Sequence, residues 1–398
     1  MPTLIDLPTM PFDDPSVLEI SPRYQRLQEE EPISRVRTPT GDAAWLVTRY
    51  DDVKALLADE RLGRSHPDPQ SAPRYAAGTL AGGPIMDPAT EKNDHGNVRR
   101  VMSRPFAGRR VGGLRPVIES VVRDLVDDLL RLGPPLDLHE RLSLPLPERV
   151  LCEVFGVPQE DGQVFGQPVR DALSMRDPAR ALAALGDLTV YVQGLIERKR
   201  RNPDEHLLSE LITTADERAE IGEALLTLMV DALLIAGQTT MTGRLDLGVL
   251  LLLQHPDQVA ALVRDPALVP AAAEEALRLT PPPWDVPLRY AKTDIDCHGM
   301  TIRAGELVLL ALASANRDPR VFCDPHRFDL TRSPNPHLAF GHGPASCIGA
   351  ALARIEMQAA IHTLFSRLPA LRLAVPLDQL RARRDVLGGG LASLPVTW

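Results

Sequence analysis

Apolar residues recur at helical spacing along most of the chain. The clearest stripe lies in residues 116–132, where Ile118, Val121, Val122, Leu125, Val126, Leu129 and Leu130 fall at i, i+3, i+4 intervals. Such a stripe gives a helix one apolar face to pack on a core. Residues 146–155 repeat the pattern and stop at Gly156-Val157-Pro158. Residues 223–255 make the longest helical run, interrupted only by Gly237, Gly243 and Gly248. Shorter helices are predicted at 24–31, at 50–57 with Asp51 as N-cap, at 188–201, and at 270–279 before Thr280-Pro281-Pro282-Pro283. A further helix starts at His95. Apolar clusters at 33–36 and 44–47 around Thr40-Gly41-Asp42 predict a hairpin. Residues 295–302 and 307–312 read as strands, and Gly388-Gly389-Gly390-Leu391 as the tip of another hairpin. Residues 63–94 carry little pattern and many Pro, Gly, Asp and Ser residues, and residues 162–186 are broken by Gly162, Pro168 and Pro178. A loop as long as the first is functional or mobile inside a compact domain. The prediction is a mostly α protein with a smaller β region.

Composition narrows the class. The chain has 398 residues, 44% of them hydrophobic, enough for one large domain or several smaller ones. A formal charge of −9 argues against nucleic acid as the main partner. Cys152, Cys297, Cys323 and Cys347 form no CxxC pair, so neither a disulfide framework nor a zinc site is expected, and a reducing cytoplasm fits. Residues 1–22 are rich in proline and acid without a long apolar run. They read as an irregular arm before a domain at 23–398, with no signal peptide or membrane anchor expected.

Candidate chemistry gathers at Phe340-Gly341-His342-Gly343-Pro344-Ala345-Ser346-Cys347-Ile348-Gly349. Glycines at 341, 343 and 349 permit positive φ and let a flat ligand approach the backbone. A helical run starts just after the sulfur, so backbone N–H groups and the helix dipole are expected to lower the cysteine pKa. A lone buried structural cysteine is the plainer alternative. On the long helix, Met229, Leu233, Ala236, Gly237 and Thr240 share one stripe. A glycine inside a helix is roughly 1 kcal/mol worse than alanine, so something bulky is expected against this point. Thr240 could equally bond back to the preceding turn. His95 and Arg99 are four apart on one helix face, suited to a carboxylate or simply solvated. Glu275 and Arg278 stand within ion-pair reach at i, i+3.

The Phe-Gly-x-Gly-x-x-x-Cys-x-Gly spacing resembles the haem-binding loop of the cytochromes P450, over about residues 30–398 and with five motifs in the family's order. The resemblance implies a triangular single-domain fold with the long helix over haem b, and Cys347 as iron ligand among Phe340, Gly341 and Gly349. It makes Ala236, Gly237 and Thr240 the oxygen-binding groove. His95, Arg99, Arg289 and His337 become contacts of the haem propionates, and Glu275 with Arg278 a buried pair behind the cysteine loop. Met229, Leu233, Trp284, Asp285, Val286 and Leu391 become candidate substrate contacts.

Two departures from the family pattern stand out. Thr239 occupies the place of the usual acid before the threonine, and Ala345 the place of a basic propionate contact. The implied function is a monomeric, cytoplasmic haem-thiolate oxidoreductase acting on a small natural product, with ferredoxin and ferredoxin reductase as electron donors. The basic group Arg99, Arg100, Arg104, Arg109 and Arg110 could dock that acidic partner. Hydroxylation or epoxidation is the default reaction. Oxidative C–C or C–N coupling of an aromatic, indole-bearing cyclic dipeptide is suggested by Thr239, Trp284 and Asp285. A peroxide-driven haem enzyme is disfavoured by Gln238-Thr239-Thr240, where such relatives place Arg-Pro. A non-catalytic recruitment module is disfavoured because Cys347 and Thr240 are both kept.

Overall fold

Helices form where the apolar stripes fall, and the longest becomes the axis of the molecule. The computed structural model describes residues 7–77, 82–218, 221–280 and 286–398. The central helix, Glu223–Leu253, is apolar around most of its circumference and packs against the helices Pro145–Phe155, Pro178–Arg201 and Val269–Leu279. A helix apolar all round belongs in a core. Among the described residues it alone is long and apolar enough to cross a membrane, and 61% of that window is buried inside the fold. The helix Arg115–Leu132 buries the expected stripe and packs on Ala350–Arg367, which leaves the cysteine loop. Leu130 falls outside the buried face.

A five-stranded sheet forms the smaller region. Ile33–Arg37 and Ala43–Val47 pair antiparallel as a hairpin, Ile33 opposite Val47. Ala43–Val47 runs parallel to Leu307–Leu310, which pairs antiparallel with Leu288–Ala291; Leu62–Gly63 closes the edge. One face packs on Met10, Phe12 and Tyr24, the other on Tyr50, Val53 and Phe322. Burial on both faces explains the unbroken apolar run Leu307-Val308-Leu309-Leu310. Residues 7–21 form no helix and are anchored through Met10 and Phe12.

Several boundaries differ from expectation. The helix predicted from 188 starts at Pro178, with Asp177 accepting the Arg180 amide at 3.0 Å. Proline is at home in a first helical turn, where its missing N–H is no loss. Residues 162–172 form the helix Gly162–Ala172 despite Pro168 inside it. Glu91–Ser103 begins four residues before His95. Asp51 is not an N-cap: Arg49 holds that place, and the Tyr50 amide donates to Asp318 Oδ2 at 3.0 Å. Residues 295–302 are two strands, Ile295–Cys297 and Met300–Ile302, joined where His298 (φ 51°) and Gly299 (φ 76°) turn the chain.

Candidate active site

The cysteine loop lies between the sheet region and the helix Ala350–Arg367. Gly341 and Gly343 have φ of 70° and 74°, as the sequence predicts; Gly349 does not. A Cβ on Gly343 would stand 2.8 Å from the Ala58 Cα, so the loop presses onto the helix Tyr50–Ala58. The Cys347 amide donates to the Phe340 carbonyl at 2.8 Å, and Cys347 itself is exposed. Crowding by protein atoms raises its thiol pKa in the free chain, against the lowering expected from the helix start. The Gly349 N–H and the charges of Arg99, Arg244 and Arg354 pull the other way without prevailing. A metal ion reverses that balance, because ligation removes the thiol proton.

Behind the loop, Glu275 and Arg278 are completely buried and joined at 2.7 and 2.8 Å. Arg278 also donates to the Asn316, Pro325 and Arg327 carbonyls, and Arg332 and Asn335 donate to Glu275. Glu274 accepts from Arg354 at 2.7 Å, and Arg354 stacks on Phe340 at 4.5 Å. His337 is pinned in this lattice. Its Nε2 meets Glu274 at 3.0 Å and its Nδ1 accepts the Ala339 amide. With both ring nitrogens engaged it props the loop from behind and is not available to a propionate, contrary to expectation.

Positive charge collects on the other side of the loop. Arg99 donates to the Pro344 carbonyl at 2.8 Å and to the Ser346 carbonyl, clamping the turn that carries Cys347. Burial and the charges of Arg99 and Arg289 lower the His95 pKa. Arg64, which sequence reasoning missed, joins them. Burial and the Arg289 charge push its pKa down to about 10, and its buried Nε has no partner. Burial is the main cause of these depressed values, and the nearby Glu91 carboxylate offsets only part of it; an orphaned buried donor calls for a further anion. No spacing in the sequence announces Arg64, because it reaches this cluster only through the loop geometry that follows Leu62–Gly63.

On the central helix, Ala236 and Thr240 are exposed although their neighbours Ile235, Gln238, Thr239 and Met241 are buried. An exposed stripe midway along a core helix requires open space beside it. Thr240 Oγ1 does bond back to the Ala236 carbonyl at 2.6 Å, so this bond and the open position coexist. Gly237 serves a different purpose from the one expected. Its missing Cβ makes room for Leu151 at 3.0 Å, a close approach of the helix Pro145–Phe155. Met229 (3% exposed) and Leu391 (0%) are sealed in the core and offer no surface to a substrate. Leu233 and Val286 are half-buried, and Trp284 and Asp285 lie outside the described residues.

An exposed thiol held in a rigid turn, an open stripe on the central helix and a cluster of under-compensated cations fit a flat, dianionic, iron-bearing group. Together they define a haem-thiolate site. The comparisons with known proteins agree. A family model for cytochrome P450 matches residues 167–374. The chain is 41% identical to pentalenolactone synthase of Streptomyces exfoliatus over 99% of this chain and 100% of that one. It is 39% identical to the mycinamicin IV hydroxylase/epoxidase of Micromonospora griseorubida, with 98% of each chain covered. Among solved structures, the substrate-free pimaricin epoxidase aligns at a TM-score of 0.90 with 41% identity, over 99% of this chain and 100% of that one. The putative thioether synthase of griseoviridin tailoring aligns at 0.91 with 37% identity, over 98% and 100%. The chain therefore belongs to the cytochromes P450, the haem-thiolate monooxygenases, and its cofactor is haem b.

Proposed function

We propose that the chain tailors a small natural product by hydroxylation or epoxidation, with haem between the exposed stripe at Ala236 and Thr240 and the exposed Cys347. The observation that carries this reading is that stripe: Ala236 and Thr240 stay exposed midway along a helix whose other faces are buried, which leaves room for a flat group beside them. Cys347 would ligate the iron, with Phe340, Gly341 and Gly349 shaping the turn around it. His95, Arg99, Arg289 and Arg64 would hold the propionates, Arg64 making up for Ala345. Bound haem with a thiolate supplies dioxygen activation and O–O cleavage. The Arg99 clamp on the Pro344 and Ser346 carbonyls keeps the thiolate turn in place. Leu233 and Val286, both half-buried, would contact the substrate together with Trp284 and Asp285.

Electrons come from a ferredoxin and its reductase. Arg100 and Arg109 are exposed and suit an acidic partner. Arg104 and Arg110 are already paired with Glu210, and Arg99 is committed to the loop. The enzyme is cytoplasmic and monomeric in this reading, with residues 23–398 as one domain. Names of relatives support the substrate class: one is a mycinamicin hydroxylase/epoxidase, another a pimaricin epoxidase.

Oxidative coupling of an aromatic substrate is the second reading, and Thr239 favours it because a hydroxyl is a poor acid. A spectral-shift titration against a natural-product panel identifies the substrate, and turnover under labelled dioxygen then decides the reaction. Label in the product supports hydroxylation or epoxidation; unlabelled, newly bonded product overturns it in favour of coupling.

A further inference from the structure

Asp246 lies seven residues beyond Thr239, two turns along the central helix and so on the same face. It is wholly buried, and its Oδ2 meets His139 Nδ1 at 2.8 Å. The Leu391 amide donates to the same oxygen at 3.0 Å. Two glycine contacts make the room: a Cβ on Gly390 would sit 2.4 Å from Asp246 Oδ2, and one on Gly243 2.6 Å from the Gly388 carbonyl oxygen. The loop carrying Gly388–Gly390 is thereby pressed onto the helix and seals the pair.

His139 borders a small cavity shared with Gln238, Thr239, Thr242, Arg170 and Arg383. The cavity leaves about 10 Å³ open to the centre of a water, room for one molecule. Thr239 Oγ1 and Gln238 Oε1 are buried beside it without a partner. Orphaned buried polar atoms are costly, and one water between them would satisfy both. His139 Nδ1 is committed to Asp246, which leaves Nε2 as the ring's other nitrogen.

We propose that His139, held by Asp246, delivers protons through this water to Thr239, replacing the carboxylic acid that residue 239 lacks; the proposal rests on the haem-monooxygenase reading above. In the step, His139 Nε2–H breaks and its proton joins the water. The water passes one of its own protons to Thr239 Oγ1, and the Thr239 hydroxyl proton passes to a water in the open space beside Thr240. The ring ends neutral, Asp246 stays a carboxylate, no electrons move, and solvent recharges the ring. Burial and Arg383 disfavour the imidazolium, while Asp246 and Asp137 favour it and prevail, so its pKa is raised. Across the cavity Arg170 is paired with Glu148.

The test uses holoenzyme with a bound substrate. Histidine-labelled NMR of the reduced carbon monoxide form, assigned with His139→Val, should show an imidazole titrating above the usual value of about 6.5, and Asp246→Asn should lower that midpoint. His139→Val should reduce product formed per reducing equivalent about 100-fold, the low end of a general acid's contribution. Adding Thr239→Glu to His139→Val should restore most of it, a rescue that a purely structural His139 would not show. Unchanged coupling in His139→Val, or no rescue in the double variant, overturns the proposal. The carbon monoxide band separates the two readings: an intact band with unchanged coupling rejects the role of His139, whereas no band in the parent protein rejects the haem reading.

Discussion

The wall that carries Cys347 and the wall that carries Thr240 are built on opposite principles. Behind Cys347, charged groups are paired several times over: Glu275 takes Arg278, Arg332 and Asn335, and Glu274 takes His337 and Arg354. Buried ions that are fully hydrogen-bonded rigidify their surroundings. The central helix instead leaves Gln238 Oε1 and Thr239 Oγ1 buried without partners beside a one-water cavity, and Asp246 Oδ1 unpartnered further along. The first wall fixes a ligand in one geometry. The second keeps polar atoms free for traffic, which a fully satisfied network would forbid.

That contrast can be broken from either side. The largest stability effect is expected for Arg278→Ala, which strands the buried Glu275 carboxylate; removing one partner of such a pair costs about 3–5 kcal/mol. Denaturant unfolding measures it, and a loss below about 1 kcal/mol would mean that the lattice is not what holds the loop. Gly343→Ala should cost about 1–3 kcal/mol, since alanine would adopt φ 74° with its Cβ against Ala58. Unchanged stability and unchanged haem retention on gel filtration would show that the loop can retreat from that helix.

A slope with pH, rather than a loss at one pH, is expected from Glu356, buried on the helix Ala350–Arg367 with Oε2 unpartnered. Burial pushes its pKa up from 4.5 to about 8. The folded chain keeps the proton that the unfolded chain has lost, so its contribution is complete below the unfolded value. It then declines as pH rises toward about 8, by up to about 1.4 kcal/mol per pH unit. Unfolding at several pH values should show this slope flattened in Glu356→Gln; parallel curves for both proteins would refute it.

The fold and the bend of the cysteine loop were legible because both depend on local pattern. The stripe at 118–129 and the glycine-spaced cysteine loop are short-range signals, and the structure keeps both. Helix starts were misread where proline has two meanings: Pro178 opens a helix behind the Asp177 cap, and Pro168 sits inside one. The second wall was hardly legible. His139 and Asp246 are 107 residues apart, and each alone is an ordinary polar residue. Arg64 joins Arg289 and His95 only through folding of a loop that shows no periodicity. Leu391 and Met229 were assigned to the substrate by position along the chain, whereas packing turns both into the core.

All of this depends on Cys347 ligating the iron of a haem held against the Ala236–Thr240 stripe. The reduced carbon monoxide spectrum of the purified protein tests it most directly. Thiolate ligation should give its red-shifted band, lost in Cys347→Ala. Absence of that band in the parent protein, or its persistence in Cys347→Ala, would contradict it.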